Sequence, residues 1–337
     1  MPSLPLDAET AQKSAVARAG SLSFGSLGGR AVLASLILVI VGAVIAPSTV
    51  SASAFLSMLP FIAILAVASV GQHLVILQRG LDISIAGTMS LAAVLVTRLP
   101  PAEAGTLDVL SYVGLALGMG LLVGAVNGVV ITLIGVPALV TTIGVNSVLF
   151  GLALMVSGGV PSAAPPDLAH LAISLTLGVP NTIWVAILAA GTAIFVVDRT
   201  TIGRRFTAVA VSPATAFAVA IPMRLYRVAT FMVAGLLYAL SGVMLAGFLS
   251  IPNIFSGNDY ILSSVAAVVI SGNAVAGGAR GSIFATVVGA FFLTFLGQLV
   301  LSADLDRSMQ YVVEALIVIG GVGLARGQAS VIRAAHG

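Results

Sequence analysis

Residues 54–91 read AFLSMLPFIAILAVASVGQHLVILQRGLDISIAGTMSL. The stretch 54–77 contains no Asp, Glu, Lys or Arg, and a helix of that length spans the ~30 Å hydrocarbon core of a bilayer. Arg79 and Asp82 follow, and a second apolar run, 81–97, begins at once. Two charges between stretches that both prefer hydrocarbon pose the question of what surrounds them.

The rest of the chain answers as these residues do. Charged residues make up 7% of the 337 and hydrophobic ones 59%, against about 25% charged in a typical soluble domain. Mean hydropathy is +1.18. In water such a chain would expose large apolar patches and aggregate; in a bilayer it would not. The composition predicts an all-α polytopic membrane protein. There is no cysteine, which excludes disulfides and thiolate metal sites. His73, His170 and His336 are scattered, so no metal or other cofactor is expected. The single lysine, Lys13, follows Gln12, so a phosphate-cradling loop ending in Gly-Lys-Ser/Thr is absent. ATP hydrolysis would have to come from another polypeptide, and the chain itself is not expected to be an enzyme. A net charge of +3 is too small to indicate a nucleic-acid partner and reads better as topology.

Ten predominantly apolar segments of membrane-crossing type follow: 31–47, 54–77, 81–97, 109–134, 137–157, 182–198, 228–250, 261–276, 283–302 and 310–325. The third and eighth are short and rich in Gly, Ser or polar residues. With the N-terminus in the cytoplasm, twelve of the fourteen Lys and Arg residues fall on the cytoplasmic side and only Arg98 and Arg307 outside, as the positive-inside rule requires. Both termini are therefore expected inside, with tails at 1–30 and 328–337 flanking a membrane domain at 31–327. The polar lead before the first segment carries Asp7 and Glu9, which argues against a cleavable signal ending at Ala52-Ser53-Ala54.

Outside the membrane, the loop 158–181 is punctuated by Pro and Gly and should form turns and a short helix. The loop 199–227 is flanked by arginines, but its middle, 206–221, is uncharged and rich in small residues. Such a stretch suits a short helix docked on another protein. Pro213 fits the first turn of that helix, with Ser212 as its cap. Gly114, Gly118, Gly120, Gly124 and Gly128 in the fourth segment form a stripe that lets helices approach closely. LQRGLDISIAGTM and GARGSIFATVVGA both place Arg-Gly before a small-residue helix, the kind of echo two pseudo-symmetric halves produce.

These motifs, in this order, resemble those of a known family. VGQHLVILQRGLDISIAG is similar to a family stretch that ends Gly-Ile-Asp-Leu-Ser-Val-Gly-Ser. VPALVTTIGVNSVLFGLALMVSGG, TTIGRRFTAVAVSPATAFAVAI, YILSSVAAVVISGNAVAGGARGS and QYVVEALIVIGG follow in register. The chain resembles the permease subunit of bacterial ATP-binding-cassette importers of the ribose, xylose and arabinose type. The resemblance implies a bacterial inner-membrane protein that forms a sugar pathway. Its partners would be ABC ATPase subunits, a periplasmic sugar-binding protein and a second permease copy, identical or closely related. There are departures: Gln72-His73 stand where the family usually has Met-Thr. Ala210, Ser212 and Phe217 replace a usual Gly, Asn and Arg. Tyr260-Ile261-Leu262-Ser263 lacks the two acids of Tyr-Glu-Leu-Asp, and Glu314 stands where a Lys is common.

Two sets of residues then carry function. Gly203, Arg204, Arg205, Ser212, Pro213, Ala214 and Ala216 are the candidates for ATPase coupling, the plainer role of the two arginines being cytoplasmic anchoring. For the substrate pathway the candidates are Asp82, Ser84, Asn127, Thr142, Asn146, Asn273 and Gln298. Thr142 and Asn146 share one helix face at four-residue spacing. The plainer reading of the amides and hydroxyls is interhelical hydrogen bonding. Asp82, near the cytoplasmic end of its segment, has two readings as well. It caps a helix beginning at Ile83, with Arg79 as counter-charge, or a broken helix exposes it with Ser84 to the substrate. Glu314 is expected near the outer surface, paired with Arg307. The alternative to an importer subunit is a cation-coupled secondary carrier, which would need titratable groups at the midplane. An intramembrane enzyme lacks any supporting motif.

Overall fold

In hydrocarbon a backbone must satisfy its own polar groups, so apolar runs of this length fold as helices. The computed structural model describes residues 27–101, 105–273 and 281–303, together with 306, 308–316 and 319. Its helices are α1 (Leu27–Ile45), α2 (Ala52–Leu77), α3 (Ile85–Arg98), α4 (Thr106–Val129), α5 (Ala138–Ser157), α6 (Pro166–Ile173), α7 (Asn181–Arg199), α8 (Thr201–Val211), α9 (Pro213–Ala218), α10 (Met223–Leu249), α11 (Asp259–Ile270) and α12 (Ile283–Ser302). A π turn over Val130–Ile134 extends α4. Among the described residues, seven helices are long and apolar enough to cross a membrane: α1, α2, α4 with its π turn, α5, α7, α10 and α12. The protein is an all-α polytopic membrane protein.

The two short segments fold as short helices. α3 has 14 residues and α11 has 12, about 21 and 18 Å of rise. Neither reaches across the hydrocarbon alone. The tenth apolar segment is helical over 308–316 and at 319 and otherwise lies outside the described residues, as do both expected tails apart from Leu27–Arg30. The 158–181 loop forms α6 and, unanticipated, a two-stranded hairpin. There Leu175–Thr176 pairs antiparallel with Val179–Pro180 through Leu177 and Gly178, both at positive φ.

α10 lies between α2 on one side and α3 with α4 on the other. α5 covers α3, while α7, α11 and α12 cover α2, and α1 lies outermost on α12. Every residue from Ile85 to Thr97 is buried, so α3 touches protein on all sides. By contrast, Leu36, Ile37, Ile40 and Val44 of α1 are exposed, as a lipid-facing helix requires.

The glycine stripe of α4 divides. A Cβ at Gly124 would overlap the Phe231 carbonyl of α10, and one at Gly128 would lie 2.8 Å from the Val228 Cα. Gly120 faces Gly235 backbone to backbone. Gly114 and Gly118 meet nothing within 4 Å, so they take no part in this seam. The geometry predicts that Gly124→Ala lowers stability by about 2 kcal/mol, since overpacking a tight seam costs ~1–3 kcal/mol. Gly118→Ala should change it by less than about 0.5 kcal/mol. Thermal unfolding of the detergent-purified chain, followed by size exclusion, reads both.

Candidate translocation pathway

The break between α2 and α3 shows why a carboxylate sits in the membrane. α2 closes with paired bonds, Arg79 N–H to Ile76 C=O at 2.9 Å and Gly80 N–H to Val75 C=O at 3.0 Å. Arg79 takes the left-handed position at φ 63°, one that glycine usually fills. Its side chain is exposed and forms no ion pair with Asp82, so the expected counter-charge is not there. Asp82 is 2% exposed. Its Oδ1 accepts the Ser84 N–H at 2.9 Å and the Ser84 hydroxyl at 2.6 Å. The helix starts at Ile85 rather than Ile83, and its first turn draws acceptors from a neighbouring helix. Thr142 Oγ1 accepts the Ile83 N–H at 3.2 Å and Asn146 Oδ1 the Gly87 N–H at 2.7 Å. Asn127 Nδ2 donates to Ser84 Oγ at 2.8 Å.

Five of the seven pathway residues therefore meet at one place, the N-terminus of α3. That place is deeper than expected. Asn146 lies in the middle of the 20-residue α5, so α3 begins halfway along its neighbour. The first N–H groups of a helix have no partner within it, and in the membrane no water is at hand to supply one. Thr142, Asp82 and Asn146 supply it, with the carboxylate at the positive end of the helix dipole.

Asn273 belongs to a second break, between α11 and α12. Its Nδ2 donates to Ser271 Oγ at 2.7 Å and Thr286 Oγ1 at 3.1 Å, and its Oδ1 accepts the Ser282 N–H at 2.8 Å. The segment 274–280 lies outside the described residues. Thr286 Oγ1 also bonds His73 Nδ1 at 2.8 Å, while Gln72 Oε1 accepts the Tyr238 hydroxyl at 2.8 Å. Gln72 and His73 thus tie α2 to α10 on one side and to α12 on the other. The sequence marked both as departures from the family pattern but gave no sign of their partners, which lie 166 and 213 residues away.

Gln298 stands apart, in a cavity of about 770 Å³ at the end of the bundle remote from α8 and α9. Aromatic rings wall it: Phe61, Phe248, Phe255 and Tyr260. Phe61 and Phe248 meet edge to face at 4.9 Å. Between the rings stand Asn253, Ser256, Ser263, Gln298 and Glu314. Glu314 is 1% exposed and accepts hydrogen bonds from Ser263 at 2.8 Å and Gln310 at 3.0 Å. Arg307, its expected partner, lies outside the described residues. Next to the wall residues Phe255 and Ser256, Gly257 donates its N–H to Ser90 Oγ of α3 at 3.1 Å. The segment that carries the wall residues Phe255 and Ser256 therefore rests on α3, where Gly257 also lies against the Ala86 carbonyl. Volume, apolar rings and converging polar groups are those of a small-ligand site.

At the opposite end, Thr200 caps α8 through the Gly203 N–H at 3.2 Å. Ser212 caps α9, with Pro213 in its first turn, as the spacing predicted. Gly203 and Ala216 are buried, Ser212 and Pro213 half-buried, and Arg204, Arg205 and Ala214 exposed. The free face of α9 is Ala214, Thr215 and Phe217, the last 75% exposed. Gln78, the first residue of the α2–α3 break, donates from Nε2 to the Phe206 carbonyl of α8 at 3.1 Å.

The family described as branched-chain amino acid transport system / permease component matches residues 54–321. Ribose import permease protein RbsC of Haemophilus influenzae is 28% identical over 298 residues, 87% of this chain and 91% of the relative. RbsC of Escherichia coli K12 is 26% identical over 86% of this chain and 91% of its own. Autoinducer 2 import system permease protein LsrC of Yersinia pseudotuberculosis is 28% identical over 87% and 82%. No solved structure matches the chain.

Removing Asn146 strands the Gly87 N–H inside the bundle. Asn146→Ala should lower stability by about 1–3 kcal/mol, the cost of an unsatisfied buried donor. Ser147→Ala, on the exposed side of the same helix, should stay within about 0.5 kcal/mol. Detergent-solution melting curves of the two variants compare them directly.

Proposed function

The chain belongs to this family of membrane permease components, and on that premise we propose that it is the membrane-spanning subunit of an ATP-binding-cassette sugar importer. The substrate is a pentose or another monosaccharide, delivered from outside by a periplasmic binding protein. Two copies, or one copy with a close relative, form the pore, and separate ATPase subunits drive it from the cytoplasm. In this reading ten membrane segments form two pseudo-symmetric halves in the bacterial inner membrane, with both termini cytoplasmic.

The cavity around Gln298 carries the reading. Stripping a sugar hydroxyl of water without replacement costs a few kcal/mol. Amides, hydroxyls and a carboxylate between aromatic rings offset that cost, and the rings pack on the sugar's apolar faces. The sugar enters beside Gln298, Ser263 and Asn253 and passes Gly257, which rests on α3. It then moves along the α3 break, where Asp82, Ser84, Asn127, Thr142 and Asn146 line the way, with Asn273 across α2. Binding along the route is weak, because the external protein supplies affinity.

Coupling starts at α9. Ala214, Thr215 and Phe217 meet the ATPase, Arg204 and Arg205 orient the segment, and Gly203, Ser212, Pro213 and Ala216 hold its shape. ATP-driven closure of the ATPases displaces α8, and the Gln78–Phe206 bond carries the displacement to the α2–α3 break.

Two outcomes are expected. Gln298→Ala and Asn253→Ala should each raise KM for uptake of labelled sugar about fivefold, one hydrogen bond's worth, with unchanged recovery of the ATPase subunit. Phe217→Asp should reduce co-purification of that subunit about tenfold or more, as expected of a central interface anchor. A chain that purifies alone and moves solute on an ion gradient without ATP would overturn the reading in favour of a carrier.

A further inference from the structure

The cavity beside Gln298 has one wall that is not a long helix. Residues 250–257 run from the end of α10 towards α11, and their burial alternates. Ile251, Asn253 and Phe255 are exposed and line the cavity, while Pro252 and Ile254 between them are buried. A period of two is that of extended chain, so this stretch is a strap with one edge in the core and the other in the cavity. Phe255 also meets Phe150 of α5, the ring centroids 5.3 Å apart.

The strap begins at a strained residue. Among the described residues four other than glycine take positive φ: Arg79, Leu177, Ala220 and Ser250. Three of these have an ordinary reason. Arg79 closes α2 with paired bonds, and Ala220 closes α9 in the same way, its own N–H on the Phe217 C=O and the Ile221 N–H on the Ala216 C=O, a pattern that calls for a left-handed residue. Leu177 lies in a two-residue hairpin turn, which also calls for one. Ser250 differs. Its φ is 61° and its ψ −35°, and the Ile251 N–H bonds the Leu249 C=O across it at 2.7 Å. That is a three-residue turn of the rare, strained kind. The Ser250 carbonyl accepts the Ala164 N–H at 2.6 Å, which holds the turn from the neighbouring loop.

Two opposed terms act on the strap. The left-handed backbone at Ser250 favours release. Burial of Pro252, and of Ile254 in a cluster with Leu168, Val243 and Ala246, favours the position seen, and the two terms are of the same order. The far end is tied to α3: Gly257 donates to Ser90 Oγ at 3.1 Å, and a Cβ there would overlap the Ala86 carbonyl. A shift of α3 therefore pulls on the strap.

We propose that residues 250–257 are a sprung gate on the cavity, with Ser250 as its hinge. In one position Asn253 and Phe255 complete the wall. In the other, Ser250 returns to ordinary backbone, Ile254 leaves the core and the wall opens. Packed elements balanced in this way switch between two arrangements and do not deform smoothly, and the displacement of α3 decides which is held. As a gate for sugar the strap rests on the importer reading; its two positions do not.

The test uses the full chain in lipid nanodiscs. The chain has no cysteine, so Leu107→Cys and Ile251→Cys carry the only spin labels, and double electron–electron resonance reads the distance between them. Both sites are exposed, Leu107 in the first turn of α4 and Ile251 next to the hinge. Two distances are expected, one for each position. Ser250→Gly removes the strain and should raise the ratio of closed to open about fivefold. Ile254→Ala removes part of the opposing burial and should lower that ratio about tenfold or more. Ser250→Ala keeps the strain and should leave it unchanged. Leu107→Cys with Leu171→Cys, the latter exposed on α6, should give one distance in every variant and serves as the folding control. One distance in both the labelled parent and Ile254→Ala, or a ratio that Ser250→Gly leaves unchanged or lowers, would overturn the proposal. Transport enters none of these readings, so they stand whether or not the importer assignment does.

Discussion

A helix that begins halfway along its neighbours leaves backbone N–H groups where water does not reach, and much of this structure serves that requirement. The start of α3 is satisfied by Thr142, Asp82 and Asn146, which are useful only if α5 lies against it. Gly87 allows that approach, since a Cβ there would lie 2.7 Å from the Leu149 Cβ and 2.9 Å from Asn146 Oδ1. Asn127 steadies Ser84 from α4, and α4 is held in turn by its glycine seam with α10. Break any one of these and a polar group is stranded in hydrocarbon. An intramembrane carboxylate here has a structural use before it has any other.

How much of this could be read from the sequence follows from the range of the forces involved. Long apolar runs gave their helices to within a few residues, because length and composition alone decide membrane crossing. The short third and eighth segments stood out for the same reason. Ser212 and Pro213 announced α9 because capping is local. The glycine stripe was half legible: spacing alone could not separate Gly124, jammed against α10, from Gly118, which meets nothing. Asp82 was legible as a cap, but its depth and the exposure of Arg79 were not. The Gln298 cavity was out of reach, since its walls come from α2, α10, α11, α12 and residues 310–314. Only the packed chain brings Phe61 to Phe248.

Gln78 links two regions that the sequence presents as separate. It terminates α2 and holds a carbonyl of α8 across 128 residues of chain. The hydrogen bond is buried, so it is not weakened by competing water. A displacement of α8 must either carry Gln78 along or leave its amide unsatisfied, and the latter is the costlier course. The side chain joins the α8–α9 end of the bundle to the break between α2 and α3.

The burial of α3 also bears on how the protein is made. From Ile85 to Thr97 no side chain is left to face lipid, yet its polar partners are synthesised 43 and 59 residues later. Gly242, against which Met89 packs, comes later still. When α3 leaves the ribosome, nothing that will shelter it exists. It must be held by the insertion machinery or wait at the membrane surface until α4, α5 and α10 arrive. Its final position is therefore an act of assembly, not of insertion, and the order of synthesis makes it one of the last elements to settle.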